Sequence, residues 1–248
     1  MVIPARLGAS RLPRKPLRLL GGAPLVVRVW ERVRALNLAD RCVVATDSAE
    51  VAAAVRAAGA ECSLTAQHHP SGTDRVAEVA ARPEYARYQV VVNVQGDEPF
   101  VSAAMIRGAA DVVSSGRMPL GTVAAPATRE HLADPNVVKV VCADDGRAMY
   151  FSRSTIPYLR DGTDGDLLQN AMRRHVGIYA YTPQALARWV GLPEHPLERI
   201  ERLEQLRPLA AGIPMGVALV EEPPPIGIDT EEDLERANER WSQLNARR

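Results

Sequence analysis

Short apolar runs alternate with segments of helical period along the first half of the chain. Met1 to Ala5 reads as a strand, and Pro24 to Leu36 sets Leu25, Val26, Val29 and Val33 on one helical face. The pattern then repeats. Arg41 to Thr46 is a buried-strand run, Asp47 and Ser48 supply a helix N-cap, and the alanine-rich Ala49 to Ala58 ends at Gly59. Glu61 to Leu64 predicts a third strand, Asp74 to Ala81 a short helix, and Gln89 to Val94 a strand apolar enough to be covered on both faces. This β-α-β-α-β order implies a parallel sheet with helices on both sides and ligands at the carboxyl ends of the strands.

Beyond about residue 118 the pattern changes. Leu120 to Ala127, Val137 to Ala143 and Ala148 to Ser152 read as strands, with Asp144-Asp145-Gly146 as a hairpin signal, so antiparallel or mixed pairing is expected. Arg173 to Tyr181 adds a strand, Pro196 to Ala211 one charged amphipathic helix, Met215 to Val220 a strand, and Thr230 to Ala246 a closing helix. With 248 residues, 46% of them hydrophobic, and with no repeat or long linker, the expected organisation is one domain over 1–248 with an inserted subdomain.

Charge and cysteine usage narrow the classes. Thirty basic and thirty acidic residues cancel, and aromatics are only 4% of the chain, so nothing favours nucleic-acid binding. Cys42, Cys62 and Cys142 are odd in number and widely spaced, which suits a reduced, cytoplasmic protein. No apolar stretch approaches the roughly 20 residues of a membrane span, and the basic start lacks the apolar core of a signal peptide. Among the cations only Lys15 and Lys139 are lysines. A lysine kept in so arginine-rich a chain suggests a place for a compact ammonium, and the loop position of Lys15 favours that reading there.

Four stretches carry candidate chemistry. The first is the loop Arg6 to Pro16, with Ser10, Arg11 and Lys15, after the first strand. Small residues and cations there suit phosphate binding, although neither a Walker loop nor the dinucleotide fingerprint is present and a solvated basic turn is the alternative. Second, Gly96 permits a tight exit from the fourth strand in "VQGDEP", leaving Asp97 and Glu98 at the sheet edge where a carboxylate can hold magnesium; acidic caps on an ordinary turn are the alternative. Third, "GIDTEEDL" offers Asp229 as a second carboxylate beside what is otherwise a capping box. Fourth, His175, Gly177 and Tyr179 share a strand face, while Glu198, Glu201 and Gln205 form a polar stripe if 196–211 is one helix. Together these could grip a sugar acid or serve as solvent-facing surface. The adjacent His68 and His69 lack partners at zinc spacing, so no transition-metal site is expected.

In order along residues 1 to about 236, "VIPARLGASRLPRKPL", "VATDSAEV", "SGTDR", "VNVQGDEPF", "NVVKVV", "YFSRSTIPY", "RHVGIYAY", "LERIERLEQLR" and "GIDTEEDL" resemble the 3-deoxy-manno-octulosonate cytidylyltransferases, the CMP-Kdo synthetases. The resemblance implies a nucleotide-diphospho-sugar transferase-like α/β fold, Rossmann-like, with a mainly parallel mixed sheet and a smaller subregion at about 120–215 for sugar-acid binding and dimerisation. It also implies magnesium-dependent reaction of CTP with Kdo, and a homodimer. Carried over by position, Arg6, Arg11 and Lys15 face the triphosphate. Ser71, Gly72 and Gln95 lie near cytosine and ribose, and Asp97 and Asp229 are magnesium ligands. Arg153, His175, Tyr179, Glu201, Glu204 and Gln205 match the sugar-acid pocket. Two departures stand out: Arg14 occupies a position often glycine in the family, and 161–168 is variable. A cytidylyltransferase for another sugar acid, a dinucleotide-dependent oxidoreductase and a non-catalytic nucleotide sensor are the competing readings.

Overall fold

The computed structural model describes residues 1–8, 11–161, 171–222 and 227–245. Ser10 and residues 162–168 of the variable stretch lie outside them. The chain forms two compact units, the first built from residues 1–87, 93–103 and 225–248 and the second from 88–92 and 104–224.

The first unit follows the apolar pattern closely. Strand β1 (Val2–Ala5) leads through a short 3-10 helix (Lys15–Leu17) and a ribbon of β2 (Leu19–Leu20) and β3 (Ala23–Pro24) into helix α1 (Leu25–Ala35). Then come β4 (Val43–Thr46), α2 (Ala49–Ala57), β5 (Glu61–Leu64), α3 (Gly72–Ala80) and β6 (Val91–Asn93). The strands lie in the order β6-β1-β4-β5, all parallel, with Val2 opposite Asn93 on one side and Val43 on the other. Each element has a local cause. Strands buried along their whole length read as unbroken apolar runs. Ser48 caps α2 by accepting the Val51 N–H, and the α1 stripe buries Leu25, Val26, Val29, Trp30 and Val33. Each such side chain contributes about 1.5–3 kcal/mol relative to exposure.

The second unit takes in residues 88–92, with Val91 and Val92 of β6, and resumes within α4 (Ala103–Ser114), a helix outside the expected elements. It continues with β7 (Leu120–Pro126), α5 (Arg129–Ala133), β8 (Lys139–Cys142), β9 (Ala148–Ser152), β10 (Arg173–Tyr181), α6 (Pro183–Val190), α7 (Pro196–Glu201), α8 (Leu206–Ala210) and β11 (Met215–Leu219). Its pairing is mixed as expected: β7 lies parallel to β11 and antiparallel to β10, while β8 pairs antiparallel with β9 and β10. Gly146, at φ 80°, closes the β8–β9 hairpin. The chain ends in the first unit with α9 (Glu231–Asn245).

The single helix expected over 196–211 is two. Arg202 adopts the left-handed conformation (φ 54°, ψ 47°), and both its N–H and that of Leu203 turn back to the Glu198 carbonyl. The break buries Leu203, which is 5% exposed. It also dissolves the expected stripe, since Glu198 turns to Arg207 and Glu201 to Ser152 and Arg153.

Candidate functional site

The loop after β1 is anchored at Leu12, which is 1% exposed and whose carbonyl accepts the Lys15 N–H. Arg14 between them is left-handed (φ 58°), a conformation that costs a non-glycine residue roughly 1–2 kcal/mol. Its side chain pairs with Glu50. The turn delivers Lys15 between two carboxylates: Nζ stands 2.5 Å from Asp97 Oδ2 and 2.8 Å from Asp229 Oδ1. Arg11 approaches the other oxygen of Asp229 at 3.1 Å. Burial lowers the Lys15 pKa, but the Asp97 and Asp229 carboxylates outweigh it and the net shift is upward. Arg6, at the end of β1, is exposed.

Backbone contacts hold the two aspartates. Gly96 passes so close to β1 that a Cβ there would sit 2.7 Å from the Pro4 carbonyl oxygen, which fixes where Asp97 leaves β6. Asp97 O accepts the N–H of fully buried Ile228, setting Asp229 alongside. The capping box is real as well: Asp233 accepts the N–H groups of Asp229 and Thr230, and Thr230 Oγ1 accepts that of Asp233. Capping and presentation of Asp229 are therefore compatible. Beside them, burial first and the Asp97 charge second push the Glu98 carboxyl up to about 8, and its Oε2 is enclosed without a hydrogen-bond partner among the described residues. No group of three or more His, Cys, Asp and Glu forms a metal cage among the described residues. Asp97 and Asp229, already sharing one cation, suit a hard ion that completes its shell with phosphate oxygens and water.

Ser71 caps α3, accepting the Thr73 and Asp74 N–H groups and donating to Asp74 Oδ2 at 2.7 Å. A Cβ on Gly72 would touch Pro4 and, at 3.7 Å, Gln95 Oε1, so Ser71, Gly72 and Gln95 gather over β1. Arg75, not singled out from sequence, is 2% exposed and pairs with Asp47 at 3.0 Å while also bonding Thr65 and the Ala66 carbonyl. It ties "ATDS" to "SGTDR"; an arginine one turn into an amphipathic helix was the available signal.

In the second unit, β10 carries His175 and Tyr179 on one face, as expected, but not by simple alternation. The ladder to β7 slips between Val176 and Tyr179, so His175 lies opposite Ala124 and Tyr179 opposite Thr122. Four residues of regular strand span about 13 Å, yet the two rings are 5.4 Å apart. Thr122, fully buried, accounts for the slip: Oγ1 lies 2.8 Å from the Ile178 carbonyl and 2.9 Å from His175 Nε2. A hydroxyl has one proton. With it donated to Ile178, His175 Nε2–H donates to Thr122 and Nδ1 is left as an acceptor. Burial lowers the imidazole pKa to about 3, so the ring is neutral, and Phe151 meets it edge-on at 5.0 Å. Burial first, then the charges of Tyr181 and Glu204, raise the Tyr179 pKa.

Arg153 follows β9. Glu201 Oε2 accepts its N–H at 2.9 Å and Oε1 accepts Ser152 Oγ at 2.6 Å, while the Glu201 carbonyl accepts Arg153 Nε at 2.8 Å. Gln205 is 3% exposed at the start of α8. Glu198 forms a buried two-bond pair with Arg207, at 2.7 and 2.6 Å.

A parallel α/β unit thus gathers a cationic loop and two carboxylates at one sheet edge. Residues 1–217 match the family model described as cytidylyltransferase. Over 245 residues the chain is 60% identical to the 3-deoxy-manno-octulosonate cytidylyltransferase of Gemmatimonas aurantiaca, covering 99% of this chain and 95% of that one. Identity to the protein of the same name from Methylococcus capsulatus is 46%, covering 98% and 96%. A solved CMP:2-keto-3-deoxy-manno-octonic acid synthetase complexed with CTP matches with TM-score 0.89 at 36% identity, covering 98% of each chain. The chain belongs to the 3-deoxy-manno-octulosonate cytidylyltransferase family.

Proposed function

We propose that this protein transfers CMP from CTP to the anomeric hydroxyl of 3-deoxy-D-manno-octulosonate, releasing pyrophosphate, in the making of lipopolysaccharide or a related surface glycan. The observation that carries the reading is the meeting of Lys15, Asp97 and Asp229 from three distant segments, in a chain 60% identical to a protein of that name. The hydroxyl attacks the α-phosphorus and pyrophosphate leaves in line, so positioning and charge neutralisation do most of the work. Lys15, with Arg6 and Arg11, neutralises the triphosphate and the leaving pyrophosphate. Ser71, Gly72 and Gln95 face the base and ribose, and Ser10 is a further expected nucleotide-binding residue. Asp97 and Asp229 would hold a magnesium ion, which supplies polarisation of the α-phosphate when bound.

In the second unit the sugar acid is gripped by Arg153, His175, Tyr179 and Gln205, with Glu201 and Glu204 less directly. The Arg153 guanidinium suits the carboxylate and His175 Nδ1 accepts a sugar hydroxyl. Residues of about 120–215 also form the homodimer contact, a reading supported by exposed Met149, Tyr158 and Ile200, at 62%, 81% and 78%. The expected setting is the cytoplasm, where CTP is available. No helix among the described residues is long and apolar enough to cross a membrane. The test is pyrophosphate release with CTP, magnesium and Kdo, set against UTP and other sugar acids, including 8-amino-Kdo and sialic acid. Release is expected for CTP with Kdo, and Asp97→Asn should abolish it in a folded protein. No release with any sugar acid defeats the reading.

A further inference from the structure

Lys139 is completely buried, yet makes no ion pair among the described residues. Its ammonium instead donates to three main-chain carbonyls: Asp134 at 2.9 Å, Val137 at 2.7 Å and Arg153 at 2.5 Å. Three converging acceptors match the three donors of an ammonium, whereas a planar guanidinium presents a fork that cannot close on them. This gives the second lysine of an arginine-rich chain a specific task. A buried ammonium with no carboxylate in contact, favoured only at a distance by the charges of Asp134 and Glu201, is a poor device for stability alone, because desolvation outweighs them. What it holds is the more informative fact.

One of the three carbonyls belongs to Arg153, whose N–H is held by the Glu201 carboxylate. Both main-chain polar groups of this residue are thus fixed by charged side chains from β8 and α7. Its guanidinium is steered as well, with Nε on the Glu201 carbonyl and Nη1 on the Pro135 carbonyl at 2.9 Å. Nη2 makes no hydrogen bond among the described residues. Both Glu201 carboxylate oxygens are meanwhile used by Ser152 and Arg153. We infer that Lys139 and Glu201 are positioning residues that clamp Arg153 from both sides and aim its remaining nitrogen at the carboxylate of the sugar acid, Glu201 acting through Arg153. This rests on the reading of Arg153 given above, and the clamp is a specificity element of that same site.

Steady-state kinetics of the full chain test it, with Lys139→Met, Lys139→Arg and Ser152→Ala, each alone and combined with Arg153→Ala. Lys139→Met should raise the sugar-acid KM about tenfold while the CTP KM moves by less than about twofold. Lys139→Arg, despite its charge, should resemble Lys139→Met. Ser152→Ala, which frees one Glu201 oxygen and removes little volume, should raise the sugar-acid KM severalfold and decides the matter if the Lys139 variants fail to fold. In the Arg153→Ala background, adding any of the three changes should alter the sugar-acid KM by less than about twofold, because the residue to be positioned is gone. Equal rises in both KM values, or effects that multiply in the double variants, overturn the inference while the function stands. Absence of turnover by the unaltered protein overturns the function and the clamp with it.

Discussion

Replacing Lys15 with methionine keeps the apolar stem and removes the ammonium that Asp97 and Asp229 share. The lysine and Asp97 side chains are 16% and 27% exposed, and Asp229 is 44% exposed. Asp97 therefore loses a largely enclosed partner, at up to about 3–5 kcal/mol for a fully buried pair. Asp229 loses a solvent-screened one, worth at most about 1 kcal/mol. Relaxation of Asp97 toward water brings the expected net loss to about 2 kcal/mol, which for a chain of this size lowers Tm by about 4–8 °C. Because the Lys15 pKa is raised in the fold, its contribution is fully present at neutral pH and disappears only above its unfolded value of about 10.4. The second half of the prediction concerns magnesium. In the unaltered protein an incoming ion would compete with the ammonium for both carboxylates, whereas in Lys15→Met it would meet Asp97 without the ammonium and Asp229 held only by Arg11. Scanning calorimetry without nucleotide should therefore show a larger magnesium-induced rise in Tm for the variant, the underlying stabilisation approaching about 2.7 kcal/mol at a hundredfold excess over Kd. An unchanged Tm, or a magnesium shift no larger than in the unaltered protein, refutes the reasoning.

Two further outcomes follow from the same physics. Because His175 titrates near 3 in the fold, the unfolded chain takes up a proton that the fold refuses; stability should fall by about 1.4 kcal/mol per pH unit from about 6.5 downward, and His175→Asn should remove that part of the slope in urea unfolding. Gly96→Ala places a Cβ 2.7 Å from the Pro4 carbonyl oxygen, so it should cost about 1–3 kcal/mol in denaturant unfolding and depress turnover more than that loss explains, through displacement of Asp97.

The first unit was legible because its cause is local. A parallel strand covered on both faces is apolar nearly throughout, so β1, β4 and β6 stand out from any window of the chain, and the loops leaving the carboxyl ends of β1 and β6 are where Lys15 and Asp97 sit. The second unit depends on contacts that no window contains. Helix α4 carries Met105, Ile106, Ala109, Val112 and Val113 at helical spacing, but Gly108 argues against helix until β11 is seen: a Cβ there would lie 3.0 Å from that of Ala218. The break at Arg202 has neither the glycine nor the proline that ordinarily marks one. In the candidate site Lys15, Asp97 and Asp229 stood out from sequence as phosphate and metal groups, not as partners of one another, and the use of Glu201 by Ser152 and Arg153 depends on that break. Arg75 was passed over, and Lys139 noticed but given no role, because charged side chains read as solvent-facing until the acceptors that surround them are known.

The slipped ladder on β10 gives position 122 an unusual tolerance. Valine has the shape of threonine and would fill the same space, yet it would strand the Ile178 carbonyl and the His175 imidazole, which now meet at one oxygen. Serine, smaller by a methyl group, keeps both. The identity of this residue is set by a single proton and its direction, so a ranking of replacements by volume would put the two in the wrong order.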